Sequence, residues 1–240
     1  MNIVLLNPVD HHDLHVLPER GAAWGDAVNQ IPVLPTEFEA VQRDFPIVFR
    51  RDAQGDFQAL ALLGLDADEN LFLDGARWTA RYIPALLARG PFSIGLQARE
   101  HGEPEAMIHI DLDDPRVTRD HGVPLFRPHG GNSAMLDRMA ELLRAIHIGH
   151  AAQAPMFAAF ADAGLIEPVR LEVQLDDTLR YDLVDFHTIG GAALAALDAA
   201  ALEKLHRAGF LALAFHVVAS LGNVERLIAL KNRKRASALG

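Results

Sequence analysis

The sequence predicts an α+β protein with a strand-rich N-terminal half, built from antiparallel hairpins, and a helix-rich C-terminal half. Paired β-rich segments separated by short turn sequences are concentrated before residue 131, and apolar residues at helical spacing dominate after it. Half of the 240 residues are hydrophobic, which is enough to form a sizeable core. The order of strands, helix, hairpin and further helices favours α+β over a doubly wound parallel sheet.

The composition divides the chain into an arm and one domain. Residues 1–34 are rich in His, Pro and Gly and are predicted to form an irregular arm. Residues 35–240 are predicted to form a single domain, strand-rich over residues 35–131 and helix-rich with one hairpin over residues 132–240. The boundary near residue 131 is a change in composition only, so the two parts can share one core.

Two hairpins and two short helices are predicted in the strand-rich part. Thr36 and Glu39 have the spacing of a capping box, which predicts a helix over residues 35–43. The segments PIVFRR and DFQALALLG flank the turn sequence DAQG and predict a hairpin. A second hairpin is predicted for PFSIGLQAR and EAMIHIDLD, which flank REHGEP. Between the two hairpins, TARYIPALLARG predicts a helix that ends at Gly90.

The helix-rich part begins with a long apolar periodicity. It predicts a helix capped by Asn132 or Ser133 and interrupted by Pro155. A third hairpin is predicted for PVRLEVQLD and TLRYDLVDFHTI. Asp198 is placed to cap a helix that Gly209 ends, and two further helices are predicted in FLALAFHVVASL and NVERLIALKNRK.

Charge and composition exclude several classes of function. The 32 acidic residues outnumber the 22 basic ones, and the net charge of −10 makes nucleic acid an unfavourable partner. The chain contains no cysteine, which excludes thiolate catalysis, disulfides and cysteine-based metal sites. It has neither a Gly-x-Ser-x-Gly motif nor a phosphate-binding glycine loop. The basic run KNRKR at residues 231–235 is interpreted as a helix end, with a nucleic-acid arm as the alternative.

The sequence predicts no targeting or membrane segment. The N-terminal apolar run ends at Leu6 and lacks the basic residues that precede the apolar region of a signal peptide. The longest apolar run, from Gly209 to Gly222, is shorter than the about 20 residues that a membrane span requires. We therefore expect a soluble cytoplasmic protein without an integral membrane segment, with export that uses no cleaved signal as the alternative.

The carboxylates in LGLDADENLFLDGARW alternate like the first ligands of a calcium-binding loop. Such a loop, if it began at Asp66, would require glycine at its sixth position and glutamate at its twelfth. This chain has Leu71 and Arg77 at those positions. A solvated connecting turn is therefore predicted in place of a calcium site.

Several segments in combination resemble the SapC family of bacterial proteins. The longest is FPIVFRRDAQGDFQALALLGLDADENLFLDGARWTARYIPALLARGPFSIG, residues 45–95. The others are HIDLDDPRV at 109–117, GVPLF at 122–126 and LEKLHRAGFLALAFHVVASLGNVERL at 202–227. The resemblance covers most of the chain from about residue 30, and none of its segments is a catalytic signature.

The resemblance implies a functional context and no catalytic residues. The family takes its name from a surface-layer protein, which implies a surface-layer connection for a binding or accessory protein. Family members also tend to accompany genes for outer-membrane receptors, flavin-dependent halogenases and cupin-type oxygenases. A transporter permease shares the name, and the lack of a predicted membrane span argues against that function here.

A metal site is the sharpest catalytic hypothesis. His109 and Asp111 lie two residues apart on a predicted strand, which places both side chains on one face. With His187, at the end of another predicted strand, they match the ligand types of the facial triad that holds non-haem iron. The alternative is an ordinary half-buried strand with a polar face. Iron is thus expected only under this hypothesis, and otherwise no cofactor is expected.

Four aromatic residues in or near the resembling segments are candidate binding anchors. Aromatic side chains often anchor protein partners, and they are also ordinary core residues. The four are Trp78, Tyr82, Phe92 and Phe126.

Two functions remain after these exclusions. We expect a non-catalytic binding or accessory protein that interacts with a protein or peptide partner, because nucleophile, phosphate and thiol motifs are missing. The alternative is an oxygenase-like, metal-dependent enzyme that uses the His109–Asp111 site on a peptide or a small molecule. Self-association into a homo-oligomer is compatible with either function.

Overall fold

Most strands precede one long helix, and most helices follow it. The computed structural model describes residues 1–97, 105–176 and 179–238. Within these residues the strands are β1 (Ile3–Leu5), β2 (His15–Val16), β3 (Gln30–Pro32), β4 (Ile47–Arg51), β5 (Phe57–Leu62), β6 (Leu73–Asp74), β7 (Arg77–Trp78), β8 (Phe92–Gln97), β9 (Glu105–Asp111), β10 (Val117–Thr118), β11 (Val123–Pro124), β12 (Ile166–Gln174) and β13 (Arg180–Ile189). The α-helices are α1 (Phe38–Val41), α2 (Ala85–Ala88), α3 (Ala134–Asp162), α4 (Gly191–Ala195), α5 (Ala199–Arg207), α6 (Leu211–Ser220) and α7 (Asn223–Ala238).

The α+β class is confirmed, with antiparallel sheets concentrated in the N-terminal half. The three predicted hairpins are present as the β4–β5, β8–β9 and β12–β13 pairs, and each is antiparallel. The REHGEP turn of the second hairpin lies outside the described residues. The largest described sheet has the strand order β12-β13-β4-β5-β3, and a smaller one has the order β1-β9-β8.

The main core packs against the centre of the five-stranded sheet. Ile47, Val48 and Phe49 of β4 are fully buried, which explains why this strand is continuously apolar rather than alternating. The ring of Phe49 meets two rings of α3, with centroids 4.9 Å from Phe157 and 6.5 Å from Phe160. Burial of each such ring stabilises the fold by roughly 2–3 kcal/mol. The core takes residues from both halves of the chain.

A second core lies between the N-terminal part of α3 and the β1-β9-β8 sheet. Leu143 and Ile146 of α3 belong to the same buried cluster as Phe92 of β8 and Ile110 of β9. The C-terminal part of α3 belongs to the main core. This one helix therefore connects the two cores and holds the two sheets in a common structure.

Residues 1–34 do not form the irregular arm that was predicted. In this stretch β1 pairs with β9, β2 pairs with β10 and β11, and β3 pairs with β5. Leu14, Val16 and Leu34 are buried in the second core. Strands of two or three residues are too short to show a period in the sequence, and they form here by pairing with strands that lie elsewhere in the chain.

Pro155 does not interrupt α3, contrary to the prediction. The helix continues through it for 29 residues, from Ala134 to Asp162. Proline removes the hydrogen bond to the carbonyl four residues earlier, which belongs to Ala151. Ala151 and Pro155 are both exposed, so water can satisfy that carbonyl.

The predicted cap at Thr36 and Glu39 is also corrected. Glu37 supplies it, since its Oε1 accepts from the Leu34 N–H at 3.0 Å. The hydroxyl of Thr36 instead donates to the carbonyl of Ala145 on α3, at 3.1 Å. The exposed Glu39 carboxylate pairs with Arg43. Burial of Glu37 thus decides which of the two glutamates caps the helix, and the local sequence pattern does not distinguish them.

The helix predicted in TARYIPALLARG is shorter than expected. Only Ala85–Ala88 is helical, because Pro84 before it is extended, at φ −51° and ψ 138°. The predicted stop at Gly90 is confirmed, and its φ of 53° explains the choice of glycine.

Helices α6 and α7 are relevant to the prediction that the chain has no membrane-spanning segment. A turn at Leu221 and Gly222 separates them. Taken together, Leu211–Ser237 is long and apolar enough to cross a membrane by length and composition, and 22% of its most apolar window is buried in the structure. The same length and composition occur in core helices of soluble proteins, so the absence of a membrane segment stays a prediction.

Candidate functional site

A groove of about 690 Å³ lies between the β6–β7 hairpin and α7. We call it the basic groove, and its lining comes from residues 71–79 on one side and residues 226–237 on the other. The hairpin turns sharply at Gly75, which has a φ of 60° that glycine adopts without strain. This turn pairs Asp74 with Arg77 and directs the rest of the hairpin along α7.

Four cations line the basic groove: Arg77, Arg226, Arg233 and Lys234. Asp74 is the acidic residue of the lining, and it lies 3.4 Å from Arg77 with both side chains mostly exposed. Such a pair contributes little to stability and leaves both groups accessible. Arg233 is exposed, and its guanidinium has no hydrogen bond or ion pair within the part of the chain that the structure describes. Arg77 and Arg233 are therefore accessible to an anionic partner, whereas Arg226 and Lys234 already contact carboxylates of the protein.

Arg226 is held in the wall of the groove by a buried carboxylate. Its guanidinium donates to Asp44, whose side chain is fully buried, and lies 5.3 Å from the ring centre of Phe72. The Asp44 carboxylate also accepts from the Arg81 N–H at 2.9 Å. Burial opposes ionisation of Asp44, but the hydrogen bonds from Arg226 and Arg81 outweigh it and lower its pKa. Asp44 is therefore a fixed anion that orients Arg226.

In the segment that resembles a calcium-binding loop, carboxylates bind a lysine side chain. Lys231 of α7 donates to Asp66 and lies 2.8 Å from Glu69 Oε1. Lys234 donates to the same Glu69 oxygen at 3.0 Å. Glu69 and Lys231 are almost fully buried side by side. The ammonium groups from the KNRKR run therefore neutralise this loop and join it to α7.

The pKa values of this cluster follow from its geometry. Burial opposes ionisation of Glu69, but hydrogen bonds and charges from Lys231 and Lys234 outweigh it, so its pKa is lowered. The hydrogen bond from Lys231 is the main cause that lowers the pKa of Asp66. Burial disfavours the Lys231 ammonium, and the two carboxylates raise its pKa above its ordinary value. All three groups are therefore charged at neutral pH.

The four candidate anchors do not form one surface. Trp78 lies beside the basic groove on β7, and its indole N–H donates to the Tyr82 carbonyl at 2.8 Å. The Tyr82 hydroxyl donates to the buried carboxylate of Glu37 at 2.9 Å. Both rings pack against the main core, whereas Phe92 and Phe126 are buried in the second core. Trp78 and Tyr82 therefore support the hairpin wall, and the other two rings have almost no exposed surface for a partner.

The structure does not bring the three predicted iron ligands together. His109 and Asp111 lie on β9 in the β1-β9-β8 sheet, and His187 lies on β13 in the five-stranded sheet. Asp111 Oδ1 accepts from the Asn2 N–H at 2.7 Å, and His109 Nδ1 lies 3.3 Å from the Met107 carbonyl. Among the described residues, no group of three His, Cys, Asp or Glu side chains could hold a metal ion.

The sequence did not predict that these cations share a groove, although one sequence feature includes two of them. That feature was KNRKR, which was interpreted as a helix end and does lie in the last turns of α7. Arg77 comes from a hairpin about 150 residues earlier in the chain, and nothing local links it to that helix.

Comparison with known proteins identifies a family. A family model described as SapC matches residues 6–227. The match begins well before residue 30, where the resemblance read from the sequence began, and it includes the hairpin wall and Arg226 of the basic groove. It ends before Arg233 and Lys234. No curated protein and no solved structure matches the chain.

Proposed function

The chain belongs to the SapC family, and we propose that it is a non-catalytic binding protein that holds an acidic segment of a protein or peptide partner in the basic groove. One observation carries the proposal: accessible cations gather on one surface of a protein whose net charge is −10. The acidic remainder of the surface repels an acidic partner, so attraction is confined to the groove.

The walls of the groove favour a peptide over a nucleic acid. Leu71, Leu73 and Leu230 line the same space as the cations. A peptide that alternates acidic and apolar side chains satisfies both kinds of surface. A nucleic acid presents phosphate along its whole length and would meet the negative charge that surrounds the groove.

Reversing two groove charges should abolish most of this binding. The double variant Arg77→Glu with Arg233→Glu is expected to weaken peptide binding at least about tenfold, because two attractive charges become repulsive. The measurement is fluorescence anisotropy at low ionic strength, with a fluorescein-labelled peptide that alternates glutamate and leucine. Both arginines are exposed, so an unchanged thermal unfolding temperature is expected and shows that the fold is retained.

The matched control is Arg138→Glu with Arg144→Glu. These two arginines are exposed on α3, and their reversal changes the net charge equally while the basic groove keeps its cations. This control should bind nearly as well as the unmodified protein. Equal weakening by both double variants, or no binding by the unmodified protein, would contradict the proposal.

We also propose that the protein acts as a soluble component of the cytoplasm. The family name supports a narrower surface-layer role as the alternative. Fractionation of cells into cytoplasm, membrane and surface layer, followed by detection with an antibody, distinguishes these locations. Recovery in the membrane fraction that resists high salt would contradict a soluble role and would point to α6 and α7.

A further inference from the structure

A second cavity, of about 450 Å³, lies where β13 separates from β4. We call it the arginine crevice, and it is lined by Arg50, Arg51, Val184, Asp185 and His187. It shares no lining residue with the basic groove. Any ligand of the crevice is therefore independent of the function proposed above.

The backbone forms this crevice through a local irregularity of the sheet. Strands β13 and β4 are paired at a single position, His187 with Phe49. The register of β13 against β12 shifts near Val184 and Asp185, as in a β-bulge. Asp185 has a φ of 63°. Among the described residues it is the one non-glycine residue with a positive φ. Such a conformation is uncommon, and it occurs here at the register shift of β13 beside the crevice.

Two guanidinium groups lie at the crevice without a carboxylate partner. Arg50 lies over the ring of Phe186 at 4.3 Å, and Arg51 lies over the ring of Phe57 at 4.0 Å. One N–H of Arg51 donates to the Gly55 carbonyl at 2.6 Å. Neither arginine forms an ion pair within the described ranges. Stacking orients both planar groups and leaves further N–H donors for a ligand.

His187, which lines the crevice, has a buried polar atom, Nδ1, without a hydrogen-bond partner among the described residues. The ring packs edge-on against Phe57, with centroids 5.0 Å apart. Burial, together with the charge of Arg51, lowers the pKa of His187, so the imidazole is neutral at neutral pH. A buried nitrogen without a protein partner is uncommon in folded proteins.

We propose that the arginine crevice binds a small carboxylate that carries an N–H donor next to the carboxylate. The guanidinium groups of Arg50 and Arg51 match the plane and charge of a carboxylate. The Asp185 carboxylate opposes a doubly charged phosphate and offers an acceptor for the neighbouring N–H group. Val184 supplies an apolar contact for a side chain. A free amino acid and the C-terminal residue of a peptide both have this chemistry.

Titration with matched probes tests the proposal in the full chain. The probes are L-valine, acetyl-glycyl-valine with a free C terminus and the same peptide as its C-terminal amide. The NMR signals of the His187 ring and of the arginine Nε groups report on the crevice. We expect saturable shifts with at least one free carboxylate, with a dissociation constant on the order of 1 mM or lower, and none with the amide. Binding of valine alone identifies a free amino acid, and binding of the peptide alone identifies a C terminus.

Two variants of the crevice, each compared with controls elsewhere, show which side chains bind the ligand. Arg50→Gln with Arg51→Gln should weaken carboxylate binding at least about tenfold, whereas Arg138→Gln with Arg144→Gln on α3 should leave it unchanged. Asp185→Asn tolerates the positive φ and should weaken any binding of the valine ammonium more than that of the neutral peptide N–H. The basic-groove variant Arg77→Glu with Arg233→Glu should leave these shifts unaffected. Absence of saturable shifts with both free carboxylates, or equal shifts with the amide, would overturn the proposal.

Discussion

Replacement of Lys231 with methionine is expected to lower the free energy of unfolding by about 3 kcal/mol. Lys231 is 8% exposed and Glu69 is 6% exposed, so the substitution leaves a buried carboxylate without its main partner. Lys234 still contacts Glu69, but its side chain is 59% exposed and compensates only in part. Chemical denaturation of both proteins at neutral pH measures the difference.

A second substitution separates the ion pair from the packing of the lysine stem. Lys231→Met combined with Glu69→Gln should recover part of the lost stability, because the unpaired buried charge is removed. Lys204→Met is the matched control, since Lys204 and Asp162 form a pair with both side chains about two-thirds exposed. That control should cost less than about 1 kcal/mol. Equal losses at Lys231 and Lys204 would contradict the buried ion pair.

The ion pair of Glu69 and Lys231 also determines how the stability of the fold changes with pH. Because its lysine partners lower the pKa of Glu69 in the folded state, its contribution is fully present above its ordinary pKa of 4.5. The contribution is lost as pH falls through the lower folded-state pKa. In Lys231→Met the burial of Glu69 acts with less opposition and raises its folded-state pKa, so the loss of stability on acidification below pH 4.5 should be smaller than in the unmodified protein.

Replacement of Gly64 with alanine is expected to destabilise the fold by about 3 kcal/mol. A Cβ at this position would lie 2.2 Å from the carbonyl oxygen of Glu69 and 3.0 Å from its carbonyl carbon. These are backbone atoms, so relief requires movement of the loop that carries Glu69. The requirement for glycine here comes from close approach, since Gly64 is not among the residues with positive φ.

Gly222→Ala is the control for this substitution. A Cβ there would have an ordinary contact of 3.8 Å with the Ala219 carbonyl, so little change in stability is expected. Gly64→Ala should also disturb Lys231 and Lys234 through Glu69, and we expect weaker binding of the acidic peptide by the basic groove. Similar unfolding free energies for the two alanine variants would show that the loop accommodates the methyl group freely.

The predicted hairpins show what local pattern can establish. PIVFRR and DFQALALLG are close in the chain, and their turn composition and β-rich sequences predict the pair that β4 and β5 form. Asp198 was likewise identified as a cap, and its Oδ1 accepts from the Ala201 N–H at 2.8 Å. These features depend on residues that lie a few positions apart.

The misses share a different physical origin. Residues 1–34 were interpreted as irregular, although β1, β2 and β3 each pair with a strand that lies elsewhere in the chain. Pro155 was interpreted as a helix break, although packing of α3 against both cores outweighs one missing hydrogen bond. His187 was grouped with His109 by residue type, and the two lie in different sheets. Each error concerns a contact that the local sequence does not describe.

The local sequence was sufficient to predict the α+β class, the three hairpins and the Asp198 cap, because these depend on turn chemistry and on periodicity within a few residues. The pairing of the charges, in contrast, depends on tertiary packing. Lys231 and Asp66, which are 165 positions apart, meet because α7 packs beside the DADEN loop. That contact neutralises a carboxylate-rich turn and leaves Arg77 and Arg233 on a shared groove. Charge pairing at such separation depends on the packing of the whole chain, whereas the local sequence shows only that the charges are present.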